Sequence, residues 1–348
     1  MNEEKKSKPV FFTIWLDNAR ILAMFAVVLL HVSAGVVLGN DVGTEYWWFG
    51  NIYDSVVRWC VPVFVMISGA LLLDSSKQED FFTFYAKRLS RILVPILVWS
   101  IFFLAWAFFN NAAEGNELTG KELFKMIFSG KPHYHMWFLY MIACLYLFTP
   151  YFRKIVAHSS RKELIFLIVI TFIMSALNHA YGVFSSGETK LFINWFLSYT
   201  PFFFLGHFIR HDDRYPSIFL LWGVFIISFI STFMGCYIVA INKDLNIGLY
   251  FYGYLSATVI PMSISLMYIL RTWNKPIIND SVTNNLSILT LGIYLIHPMV
   301  LEIIEYKQYG AMSFHPMISI PVVACIVFVV SAGMAQVVYK IPYLRRSI

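Results

Sequence analysis

"RILAMFAVVLLH", residues 20–31, sets an arginine at one end of an apolar stretch and a histidine at the other. The apolar run around it, residues 14–38, is long enough to cross the ~30 Å hydrocarbon core of a bilayer as a helix. On that helix, eleven residues rise about 16 Å and turn about 1100°, three full turns plus roughly 20°. Arg20 and His31 therefore look out from nearly one face, the first near a membrane edge and the second about halfway through. Ionisable side chains at such depth face a cavity or a partner. Asp17, three residues before Arg20, can pair with it across one turn.

Similar apolar runs recur along the chain. Of its 348 residues, 59% are hydrophobic and 13% charged, and the mean hydropathy is +0.66; a soluble domain has roughly a quarter of its residues charged. Spans are predicted at 14–38, 51–73, 91–112, 133–152, 164–182, 191–209, 217–239, 247–270, 286–306 and 317–339. The fold class is all-α: a polytopic membrane helical bundle of about ten transmembrane helices, a single domain over 1–348. No cleavable signal peptide is expected.

Lys and Arg concentrate in alternate connectors. One set holds Lys5, Lys6, Lys8, Lys87, Arg88, Arg91, Arg153, Lys154, Arg210, Arg214, Arg345 and Arg346, whereas the other carries a few scattered lysines such as Lys121, Lys131 and Lys243. The positive-inside rule makes the first set cytoplasmic and puts both termini there, as short tails 1–12 and 340–348. The formal charge of +6 is thus a topology signal, and nucleic-acid binding is not expected. Cys60, Cys144, Cys236 and Cys325 lie in separate spans at unrelated spacings, unlike a disulfide framework or a zinc site.

The connector "SSKQEDFFTFYAKRLSR" (75–91) mixes charges and aromatics and is expected to lie along the inner surface before the third span. The longest external connector, 110–132, contains "ELFKMIF", a candidate interfacial helix. Tyr46, Trp47 and Trp48 suit an aromatic belt. No internal repeat is visible.

Arg88 and Arg91, one turn apart at the start of span three, serve either as membrane anchors or, with Arg20, as a docking site for a cytoplasmic phosphate group. His297 falls near mid-membrane in span nine, one residue before Pro298. In "HYHMWFLY" (133–140), two histidines two residues apart are poor helical metal spacing, so no metal is expected. His135, Trp137, Tyr294, His297 and Glu302 instead suit a sugar or headgroup; Glu302 and Glu305 could equally form a hydrated helix end.

These residues resemble the acyltransferase-3 family of integral membrane O-acyltransferases across essentially the whole chain. "WLDNARILAMFAVVLLH" (15–31) is similar to its first-span signature, an aspartate followed by Arg-x10-His. "FVMISGALLL" (64–73), "KRLSRILVP" (87–95), "HMWFLYMIACLYLFTP" (135–150) and "LGIYLIHP" (291–298) resemble four later signatures, in order. The absence of a fused extracytoplasmic domain is similar to the stand-alone members. The resemblance implies transfer of an acetyl group from cytoplasmic acetyl-CoA, the acyl donor, to a hydroxyl of a bacterial surface glycan or its lipid-linked precursor, within the inner membrane. No permanently bound cofactor is implied. Arg20, Arg88 and Arg91 would hold the CoA phosphates. His31, with Arg20 and Asp17, would serve the chemistry, as a base or as a covalent acyl carrier. The rival reading is a transporter or flippase with His31 and His297 as proton relays.

Overall fold

The computed structural model describes residues 11–74, 81–113, 115, 118–184 and 195–348, and among these every regular element is helical. The first helix, α1 (Phe11–Leu38), is apolar almost all round, as a helix enclosed by others must be. It packs against α2 (Glu45–Val57), α3 (Cys60–Leu72), α11 (Val259–Arg271), α12 (Asp280–Tyr306) and α13 (Pro316–Lys340). Its polar members are hydrogen-bonded in place. Asn18 donates from Nδ2 to the Lys275 carbonyl at 2.7 Å, and Ser33 donates to the Leu29 carbonyl at 2.9 Å.

Among the described residues, eight segments are long and apolar enough to cross a membrane. Their outer faces carry large exposed apolar side chains, among them Phe166, Phe219 and Val329, a surface suited to hydrocarbon rather than water. Alongside α1, these segments are α2 with α3 taken together, α4 (Phe81–Ala113), α6 (Trp137–His158), α7 (Arg161–Phe184), α9 (Ile218–Asn242), α12 and α13. The two remaining predicted spans are shorter helices. The first, α8 (Trp195–His211), falls on predicted span 191–209, of which residues 191–194 lie outside the described residues. The second is α11, which covers only the latter half of 247–270.

Three local departures from the predicted spans shape the interior. Span 51–73 is broken at Arg58–Trp59, between α2 and α3. Pro62 lacks an N–H for the Arg58 carbonyl and its ring crowds it, so the helix restarts there. Span 247–270 opens instead as a folded segment. It consists of α10 (Leu245–Gly248), capped by Asp244 whose Oδ1 accepts from the Ile247 N–H at 3.1 Å, then a 3-10 turn over Leu249–Tyr252. A Cβ on Gly253 would stand 2.0 Å from His179 Nε2, so the imidazole packs directly over the glycine and would have to swing aside for any larger residue. Residues 133–136, expected as the start of a span, form turns preceding α6. Gly130 upstream has φ 67°, and Pro132 disfavours helix in its neighbour.

Of connector 75–91, expected along the inner surface before the third span, residues 75–80 lie outside the described residues, and 81–91 form the opening turns of α4, because neither glycine nor proline interrupts residues 81–94. At 33 residues, α4 is about 50 Å long and outruns the hydrocarbon core. The stretch "ELFKMIF" does fold as a short amphipathic helix, α5 (Gly120–Phe128), opened by a reciprocal Thr119–Glu122 capping box. Trp47 departs from the belt reading. It is fully buried in a small satellite core with Val37, Cys236 and Tyr252, edge-on to Trp48.

The tightest crossing joins α3 to α8. A Cβ on Gly69 would lie 1.8 Å from the Phe203 carbonyl oxygen, and one on Gly206 would lie 1.8 Å from that of Met66. Two glycines thus let the backbones touch, as in small-residue crossings of membrane helices.

Candidate active site

A cavity of about 330 Å³ runs between α1, α3, α4, α6 and α12. At one end its wall carries Arg20, Arg88 and Arg91; at the other it carries His31, His135, Trp137, Tyr254 and Tyr294. Apolar side chains such as Val27, Phe64, Ile67 and Leu139 line the stretch between. The 3.6-residue period of α1 causes this arrangement: three turns bring Arg20 and His31 back to one face.

Arg20 is held by α1 and α12 jointly. Its Nη1 lies 3.1 Å from Asp17 Oδ1 and donates to Ser287 Oγ at 3.3 Å, while the Ser287 hydroxyl donates to the same Asp17 oxygen at 2.7 Å. The guanidinium is thereby oriented and partly neutralised, with its remaining donors left over for an anion. Ser287 is a partner that sequence reasoning missed; a serine in a polar helix start carries no local signal. Asp17 itself does not line the cavity. Tyr146 lies within electrostatic reach of both Arg20 and Arg88, so the cationic end is a cluster drawn from three helices.

At the other end the imidazoles gather. The ring of His31 lies 5.0 Å from that of Tyr134 and 5.2 Å from that of His297. His297 stands behind the cavity wall, fully buried, its Nδ1 donating to the Ile293 carbonyl at 3.1 Å. Tyr294 donates its hydroxyl to the His135 carbonyl, which fastens the 133–136 turn to α12. Glu302 is engaged on both oxygens: Trp106 Nε1 donates to Oε2 at 2.7 Å and His133 Nε2 lies 2.9 Å from Oε1. Of the residues selected from sequence, Arg20, His31, Arg88, Arg91, His135, Trp137 and Tyr294 share the cavity, whereas Asp17 and His297 contact its members from behind, and Glu302 reaches His135 only through His133. Among the described residues, no group of three or more His, Cys, Asp or Glu could hold a metal ion.

A second cavity, about 290 Å³, adjoins the first and shares Tyr254 with it. Ala34 and Leu38 line it, continuing the His31 face toward the other end of α1, together with Asp54, Arg58 and Tyr252. Asp54 and Arg58 form a buried ion pair, and the guanidinium stacks 4.1 Å over the Tyr252 ring while donating to its carbonyl at 3.3 Å. Both fall within predicted span 51–73. Opposite charges four apart in an apolar run were the available signal.

Residues 13–336 match the family described as "Acyltransferase domain", Acyl_transf_3. The chain belongs to the acyltransferase-3 family. No similar protein was found among curated proteins, and none among solved structures. As a member of that family the chain is a multi-pass membrane acyltransferase, and its helical architecture accords with this.

Proposed function

We propose that this acyltransferase moves an acetyl group from acetyl-CoA to a hydroxyl of a bacterial cell-surface glycan or its lipid-linked precursor, in the cytoplasmic membrane. The observation that carries the reading is the single cavity with three arginines at one end and His31 at the other. Arginine forks suit the phosphates of a CoA headgroup. The apolar middle suits a slender pantetheine arm, whose thioester then ends beside His31. In the transfer, the acceptor hydroxyl oxygen attacks the thioester carbonyl carbon. A C–O bond forms, the C–S bond breaks, and the hydroxyl proton ends on the departing sulfur. An imidazole can take a proton near neutral pH or carry an acyl group, which suits it to this position. The second cavity, with its ion pair and tyrosine faces, supplies a route by which a polar acceptor reaches the same point from the opposite end of α1.

Purified protein in a bilayer mimic tests the reading. Free CoA thiol is expected from acetyl-CoA when an envelope glycan fraction is added, with base-labile acetate appearing on the glycan. A transporter or flippase would leave the thioester intact.

A further inference from the structure

A hydrogen-bonded chain leads from Glu302 into the cavity. His133 Nε2 meets the carboxylate at 2.9 Å, and His133 Nδ1 lies 3.0 Å from His135 Nδ1. A carboxylate only accepts, so His133 Nε2 must carry a proton. In the neutral ring, His133 Nδ1 is then the acceptor, and His135 Nδ1 must donate to it. The lone pair of His135 is therefore left on Nε2. That atom is buried without a hydrogen-bond partner on a side chain only 2% exposed, and the residue lines the cavity beside His31.

We infer that His135 is the catalytic base that takes the acceptor hydroxyl's proton, with His133 and Glu302 as positioning residues that compensate the charge. The inference rests on the acyltransferase reading above. As the hydroxyl proton arrives at His135 Nε2, the Nδ1 proton passes to His133 Nδ1. The positive charge then sits on His133, against the Glu302 carboxylate. When the C–S bond breaks, the transfers run backward and His135 Nε2–H protonates the thiolate sulfur. No proton is gained or lost, and each ring recovers its starting tautomer.

The neighbouring imidazoles lack this support. His297 spends Nδ1 on a backbone carbonyl, so a proton on its Nε2 would have no carboxylate behind it. His31 contacts Tyr134 and His297, and the nearby fixed charge acting on it is the cation of Arg58. His31 is thus left to face the acyl group. The titratable groups that face His135 are His31 of α1, His133 and Tyr134 of its own turn, and Tyr294 and His297 of α12.

Two measurements on the full-length protein in nanodiscs decide the matter. Nitrogen-15 NMR of histidine-labelled protein should show His135 protonated on Nδ1 and bare on Nε2; the opposite tautomer overturns the proposal. Thiol release from acetyl-CoA, with an envelope glycan fraction as acceptor, should fall about 100-fold or more in His135→Gln at unchanged KM for acetyl-CoA. Glu302→Gln keeps the amide-sized group but removes the charge that favours a protonated relay. Its pH–rate profile should show the acid limb moved to lower pH and the plateau lowered roughly tenfold. A lowered plateau with an unmoved limb would make Glu302 merely structural and overturn the relay. Absence of thiol release from the wild type overturns the acyltransferase reading itself, a result distinct from either.

Discussion

His31 and His297 meet ring against ring, 5.2 Å between centres, so α1 and α12 are joined at the cavity by two imidazoles rather than by an ion pair. Neither ring is held there by a carboxylate. The first of them faces the cavity and the second supports it from behind.

Replacement of His31 by alanine is expected to abolish acyl transfer while the protein still folds. Loss of an acid–base or nucleophilic imidazole costs about 10²–10⁴-fold in rate. A variant retaining more than about a tenth of wild-type thiol release would reduce His31 to a packing residue.

Neutralising Arg88 and Arg91 together, as glutamines, should raise the KM for acetyl-CoA and weaken binding of free CoA. Each charge-assisted contact to phosphate contributes about 1.5–3 kcal/mol. Isothermal titration with CoA reads this directly, and unchanged affinity would return both residues to membrane anchoring.

The facing of α1 is testable by sliding the imidazole. Val32 is fully buried against the bundle, and one residue along a helix turns a side chain about 100°. The double variant His31→Ala, Val32→His should therefore stay inactive although its imidazole keeps nearly the same depth. Full activity in a folded variant would show that the shared face of Arg20 and His31 is irrelevant.

Gly69→Ala and Gly206→Ala each drive a methyl group to 1.8 Å from a backbone oxygen, and backbone cannot swing aside as a flexible side chain can. Each is expected to destabilise by about 3 kcal/mol or more, seen as a lowered thermal midpoint in detergent. A neutral outcome would mean that α3 and α8 separate readily.

At the start of α5, hydrogen bonds from Thr119 hold the Glu122 carboxyl below its ordinary value. A depressed carboxyl contributes stability that is present above its unfolded value and lost as pH falls through the folded one. Glu122→Gln should thus reduce amide protection across α5 at neutral pH and make no difference in strong acid. Hydrogen exchange at both pH values checks it.

The helical face shared by Arg20 and His31 was legible in the sequence because a 3.6-residue period within one uninterrupted helix needs no tertiary information. The short helix α5 was legible for the same reason, though its Thr119–Glu122 cap was not read from the sequence. The ion pair Asp54–Arg58 and the turn at 133–136 were not. Both depend on where a continuous apolar run stops being a helix, and Pro62 or Pro132 decides that only in concert with the packing around it. Once residues 133–136 leave the helix, His133 and His135 converge instead of pointing to opposite sides, a relationship hidden from helical spacing. Ser287 acquires its meaning solely from the approach of α12 to Asp17.

Tyr254 belongs to the walls of two cavities that lie toward opposite ends of a membrane-crossing helix. Tyr254 is the lining side chain common to both walls. Where two water-accessible chambers meet at one side chain, a transmembrane voltage would concentrate over that contact instead of over ~30 Å of hydrocarbon.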